Sequence, residues 1–230
     1  MKNKLYLHEE TMLLALRDKK GTIACGTMYQ YAIGGAVLAE LLLHKRIQIE
    51  ESGKKKFVKL ISGTPVGEPV MDECLEKIKK AKRRASLQTW VSRFAGVKRL
   101  KHKVAEQLCR HGILRADEDK VLLLFTRKIY PEVNPEPERA LIERLRQAIF
   151  TDANDIDPKT VVLVSLAKNA DILKVVFDRK KLKSRKKRIE QIINGDIVGK
   201  ATKQAIEAMQ AAVVVACIMP AIISSTTAGR

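Results

Sequence analysis

The chain has 230 residues, 46% of them hydrophobic, which is enough to bury a sizeable core and excludes a fully disordered polypeptide. Lysine and arginine number 44 against 26 aspartates and glutamates, a formal charge of +18, so the expected partner is a polyanion: nucleic acid, an anionic membrane or a phosphorylated ligand. With only five Phe, four Tyr and one Trp, the chain is poor in the exposed rings on which single-stranded nucleic acids stack.

The opening stretch MKNKLYLHEE has no apolar core, so no secretory signal is expected. Glu9–Leu16 begins with two acids and continues with strong helix formers, and Asp18–Gly21 closes that helix. Glu9 and Glu10 are adjacent and so face different directions, which suits a structural role at a helix start. Met28–Leu43 is nearly unbroken apolar sequence containing Gly34-Gly35, the pattern of a helix in the middle of a bundle. Glu40 on that helix needs a cationic partner, Arg46 or an arginine brought from elsewhere. Arg46–Glu50 alternates polar and apolar, and Lys56–Ile61 is its expected hairpin partner across Glu51-Ser52-Gly53.

Gly63–Gly67 is a turn-rich loop without the lysine and hydroxyl residue of a phosphate loop. Met71–Arg84 is expected as an amphipathic helix with a very basic end, and Thr89–Phe94 carries the single tryptophan, Trp90. In Val97–Arg110 the residues Val97, Leu100, Val104 and Leu108 share a helical face, which puts Lys98 and Lys101 on a solvent-facing stripe one turn apart. Ile113-Leu114 and Val121–Phe125 flank an acidic turn, Asp117-Glu118-Asp119, a hairpin signal. Pro131–Pro137, with three prolines, is the best internal linker. Helices are expected at Glu138–Phe150, Thr160–Phe177 and the very basic Arg179–Ile193, the last stopped by Asn194-Gly195. The terminal apolar run Ala211–Ile223 is interrupted by Pro220 and falls short of the roughly twenty residues a membrane span needs. It reads as a core helix, followed by a frayed tail over Ser224–Arg230.

Four windows concentrate the charge: 54–60, 76–84, 97–103 and 179–188 hold 22 of the 44 basic residues. Such clustering makes a field rather than a scatter, and near an anionic leaflet each cation contributes about 1 kcal/mol. Arg179–Arg188 would equally serve a nucleic acid, which is the alternative partner. No GxSxG, HExxH, GxGxxG or paired-carboxylate pattern is present. Cys25, Cys74, Cys109 and Cys217 lie far apart and read as free thiols in a reducing compartment. They show no ligand spacing with His8, His44, His102 or His111, so neither a metal nor a cofactor is expected.

An ordered set of landmarks resembles the Golgi phosphoprotein 3 family. It starts at Leu5–Glu10 with Leu13–Leu16, and continues through Gly35–Leu41, Arg46–Glu50, Pro65–Gly67, Asp72–Leu75 and Thr89–Val91. It ends with Val104-Ala105, Gly112–Leu114, Leu166-Ala167 and Asp171–Leu173. The resemblance implies a mainly α single domain over residues 1–223, with a central helical bundle wrapped by amphipathic helices, short strands and a protruding β-hairpin. It implies a peripheral membrane adaptor without catalysis, cytoplasmic and, in a eukaryote, on the cytosolic face of the Golgi. Family members read phosphatidylinositol 4-phosphate and retain glycosyltransferases by their cytosolic tails. They self-associate through the hairpin, which maps to about Asp117–Ile129. Its apolar run Val121, Leu122, Leu123, Leu124 and Phe125 would be covered by a partner, by lipid, or equally by its own chain.

Carried over by position, the family's two later lipid-binding arginines fall on Lys98 and Lys101, with Arg99 and Lys103 adding charge. The tryptophan and the first arginine of the family pocket fall on Cys25 and Gly34. A lysine supplies a point charge but not a bidentate fork, so any anionic lipid is the expected ligand. These departures suit a divergent or bacterial relative.

Overall fold

The computed structural model describes residues 5–16, 20–53, 55–121, 125–154 and 156–196. Among them are ten helices and two separate two-stranded antiparallel sheets, so the architecture is mainly α with short strands. Three helices are buried nearly all round: α1 (Leu7–Ala15), α2 (Tyr29–Leu43) over Ala32–Leu41, and α7 (Pro158–Asn169) over Thr160–Ala167. They pack on one another and form the centre of the bundle. Each fully buried Leu, Ile or Val there is worth about 1.5–3 kcal/mol relative to exposure. Around this centre lie amphipathic helices that bury one face: α3 (Pro69–Lys79), α4 (Leu87–Ala95), α5 (Leu100–Arg110) and α6 (Glu136–Phe150). The short α8 (Leu173–Val176), α9 (Arg179–Ser184) and α10 (Lys186–Asn194) close the described chain.

Local chemistry sets the boundaries. Glu68 accepts from the amides of Val70 and Met71, with Pro69 as the first residue of α3. Asp157 does the same for Thr160, with Pro158 opening α7. Gly195 ends α10 at φ +73°. The first hairpin pairs β1 (Ile47–Ser52) with β2 (Lys55–Leu60) from Ile47 opposite Leu60 to Ser52 opposite Lys55, close to the expected register.

Several expectations are corrected. The helix expected to reach Arg84 stops at Lys79, because the following stretch is drawn into extended contact with β2: Val58 donates to the Ala85 carbonyl at 3.1 Å and Phe57 bridges Ser86. Helix α5 starts at Leu100, not Val97, so Lys98 lies in the preceding turn rather than one helical turn from Lys101. The acidic run Asp117-Glu118-Asp119 is not a turn but strand β3 (Asp117–Val121), paired with β4 (Phe125–Ile129). Its carboxylates face cations across the ladder, Glu118 opposite Lys128 and Asp119 opposite Arg127, which a strand rewards as well as a turn does. The hairpin thus spans Asp117–Ile129 as the resemblance implied; Leu122, Leu123 and Leu124 lie outside the described residues.

Pro131–Pro137 is no free linker. Val133 donates to the Ile113 carbonyl at 2.9 Å, Arg115 to that of Pro131 at 3.0 Å, and Tyr130 is fully buried beside it. Gly21, at φ +56°, packs directly on this segment: a Cβ there would sit 2.2 Å from the nitrogen of Pro131. Thr160–Phe177 is two helices, divided where Asp171 takes φ +59°, a conformation a short polar side chain tolerates best. Arg179–Ile193 is likewise divided at Arg185, whose guanidinium bonds the Phe150 carbonyl at 2.7 Å and Asp152 at 3.2 Å. The terminal run Ala211–Ile223 and Cys217 lie outside the described residues. Among the described residues no helix is long and apolar enough to cross a membrane.

Candidate functional site

The buried carboxylates are structural. Glu9 accepts the Tyr6 amide at 2.9 Å and lies 3.1 Å from His111 Nε2, while Glu10 meets Arg144 at 2.7 Å. Burial pushes the Glu10 carboxyl above its ordinary range, against the pull of Arg144. Glu40, fully buried, is paired as expected but by a lysine: Lys159 Nζ lies 2.8 Å from Oε1, which also accepts the Leu7 amide at 2.8 Å. Arg46 instead bonds the carbonyls of His44 and Pro65. Burial opposes the charge on Glu68, but His8 and the amides of Met71 and Val70 outweigh it and hold its carboxyl below the usual range.

The basic windows differ in what they leave free. In the first two, Lys56 pairs with Glu51 and Lys59 with Glu50, Lys77 with Glu73, and Lys79 and Lys80 with Glu76, while Arg84 stacks over the Phe57 ring. These are mostly exposed pairs worth little individually, and they offset only part of the local field, since Lys55, Lys82 and Arg83 have no ion-pair partner among the described residues. In the fourth, Arg188 is spent inside the fold on the carbonyls of Ala148 and Ala153, and Arg185 on Asp152, while Arg179, Lys180, Lys181, Lys183, Lys186 and Lys187 have no ion-pair partner among the described residues.

The third window pairs Arg99 with Glu106 and Lys103 with Glu73, and leaves Lys98 and Lys101 without an ion-pair partner among the described residues. Arg99 sits at φ +60°, a left-handed conformation costing about 1–2 kcal/mol for a residue with a Cβ. That kink lets Val97 and Leu100 stay buried while Lys98 and Arg99 turn outward. No side chain caps the helix start that follows, so the positive end of the α5 dipole faces the same corner. Lys101, half-buried, is held below its ordinary pKa by burial and by the nearby Arg127 guanidinium from β4. Glu106 lies between Arg99 (3.5 Å) and Lys128 (3.7 Å), and Lys103 pairs with Glu73. Lys98 and Lys101 have no ion-pair partner among the described residues. Behind them His102 Nδ1 lies 2.8 Å from the Tyr130 hydroxyl. Burial, with Lys101 and Arg99 adding to it, lowers the His102 pKa, and burial pushes Tyr130 up to about 12.

Lys101 thus lies near Arg127 and Arg99 shares Glu106 with Lys128, two cations that the sequence did not single out; Arg127 is itself paired with Asp119, and Lys98 is joined to this corner through the chain. Knowing that Asp119 and Glu118 are strand residues would have found those two cations, since they stand opposite in the ladder. Cys25 and Gly34 do not complete the corner. Gly34 is buried against the α4 backbone, and Cys25 lines a groove formed with α8–α10 in which none of residues 98–101 takes part. Nothing is described for the side chains of Val121 and Phe125. Among the described residues no group of three or more His, Cys, Asp or Glu side chains is placed to hold a metal ion.

A mainly α bundle, a hairpin flanking α5 and the ordered landmarks together define a class, and comparison with known proteins names it. Residues 7–209 match the profile of the family described as Golgi phosphoprotein 3 (GPP34), and the chain belongs to that family. It is similar to the vacuolar protein sorting-associated protein 74 of Eremothecium gossypii, at 23% identity over 205 residues. That alignment covers 75% of this chain and 61% of the relative, so the chain spans about three fifths of the length of the protein it matches.

Proposed function

We propose that the protein is a peripheral membrane-binding adaptor, a binding protein rather than a catalyst, that docks on anionic lipid through the corner built by Lys98, Arg99 and Lys101. One observation carries this: Lys98 and Lys101 are left without counter-charges among the described residues, at an uncapped helix start, with the Arg127 guanidinium near Lys101. A phosphate is the complement of such a corner. Family membership favours a phosphoinositide-type head group, but Cys25 and Gly34 supply neither ring nor guanidinium, so the corner selects by charge rather than by one inositol phosphate. The relative's name ties it to protein sorting, which suits cytosolic tails of membrane proteins as clients and a cytoplasmic, membrane-peripheral location. The Asp117–Ile129 hairpin, with its apolar run from Val121 to Phe125, is the proposed self-association element.

Co-sedimentation with vesicles tests the reading. Recovery should be high with phosphatidylglycerol vesicles, low with phosphatidylcholine, and should fall steeply with salt. Equal, salt-independent recovery with both would overturn it. A steep-salt gel shift on DNA with no preference between the vesicles would favour the nucleic-acid alternative.

A further inference from the structure

Between residues 24–25 and helices α7–α10 runs a groove of about 700 Å³. Its floor is apolar, formed by Leu173, Val175, Leu182 and Ile189, with Cys25 in one wall. Val175 leaves 41% of its surface in water, one of few large apolar side chains so exposed among the described residues. The rim is cationic. Two of its lysines are neutralised in place: Lys174 Nζ lies 2.6 Å from Asp171, and Lys168 Nζ 2.6 Å from Glu190. Arg179, Lys183 and Lys186 are exposed and have no ion-pair partner among the described residues. Arg179 and Lys183 are four residues apart on α9 and so share one face. The break at Arg185 restarts the chain with Lys186 as the first residue of α10, which puts a third cation on the same rim.

The two halves of this groove ask for different chemistry. A nucleic acid would answer the rim and leave the apolar floor wet, and an uncharged peptide would cover the floor and leave three cations without a counter-charge. An acidic phospholipid answers both, with its phosphate across Arg179, Lys183 and Lys186 and the head of an acyl chain over Leu173, Val175 and Leu182. The volume lies within the roughly 300–1,000 Å³ of small-molecule pockets, room for a head group and part of a chain. We propose that the groove is an acidic-phospholipid subsite, distinct from the α5 corner because none of Lys98, Arg99 or Lys101 lines it. It rests on the membrane-binding reading and adds a second lipid contact to it.

Cys25 gives a direct readout, because an occupant of the groove shields its half-buried thiol. The full chain is alkylated with a maleimide, and labelling at Cys25 is followed by peptide mass spectrometry. The probe is dihexanoyl phosphatidic acid, kept below its micelle concentration, against dihexanoyl phosphatidylcholine. At ten times its midpoint the acidic lipid should slow Cys25 labelling about tenfold, as simple occupancy requires. The zwitterionic lipid should protect far less. Arg179→Glu with Lys183→Glu should abolish protection without changing the labelling rate in the absence of lipid. Equal protection by both lipids, no protection by either, or a Cys25 already unreactive without lipid would each overturn the subsite. A monomeric lipid presents no surface, so this outcome is separate from vesicle binding. Unprotected Cys25 with intact vesicle binding refutes the groove alone, and protected Cys25 with no vesicle binding refutes the membrane reading alone.

Discussion

A Cβ placed on Gly34 would lie 2.8 Å from the carbonyl oxygen of Val91 and 3.1 Å from the amide nitrogen of Ala95. Helices α2 and α4 therefore meet backbone to backbone, and the arginine that the family resemblance expects at this position has no room. Gly34→Ala should lower stability by about 1–2 kcal/mol in urea unfolding, overpacking outweighing the helix propensity alanine adds. A variant more stable than the parent would contradict the close approach.

The pairing of Glu40 with Lys159 joins α2 to α7 across 119 residues of sequence. Lys159→Met leaves a fully buried carboxylate short of its cation and should cost roughly 3 kcal/mol, the low end for a broken buried pair because Lys159 is partly exposed. Adding Glu40→Gln should recover part of that loss. A double-mutant cycle by urea unfolding measures the coupling, and additive losses would show that the pair does not act as a unit.

Much of this architecture was legible. The all-round apolar pattern marked α2 as central, and alternation marked the first hairpin nearly to the residue. What escaped depends on distant partners. The demand for a cation at Glu40 could be read, but not that Lys159 would meet it, since nothing local links them. Arg83 and Arg84 have a helical pattern, yet the backbone of Ala85 is needed by β2 and the helix ends early. Asp117–Asp119 is as good a turn as a strand until the cations opposite are known. Of the candidate site, Lys98 and Lys101 came from the family resemblance and Arg99 from the local charge; Arg127 and Lys128 required the hairpin register, and the kink at Arg99 has no sequence signal because a non-glycine residue bears it.

Acidification should act through His102. Burial and the neighbouring Lys101 and Arg99 hold its pKa below the ordinary 6.5, although Glu106 pulls the other way. As pH falls through 6.5 the unfolded chain takes up this proton before the folded one does, so this part of the stability is present above 6.5 and lost below it. His102→Asn loses the Tyr130 hydrogen bond at every pH but also removes that slope. Its deficit relative to the parent should therefore shrink between pH 7.5 and pH 5.5 in urea unfolding. A deficit that grows on acidification would show that the folded state favours the protonated ring.

The most direct test of the central claim compares two double charge reversals in binding to phosphatidylglycerol vesicles. Lys98→Glu with Lys101→Glu should weaken binding at least about thirtyfold, since each cation at the surface contributes about 1 kcal/mol and both are removed and reversed. Lys55→Glu with Lys56→Glu, the same change of net charge on the other hairpin, should weaken it far less. Equal losses for the two pairs would mean that only total charge matters and that the α5 corner is not the docking site.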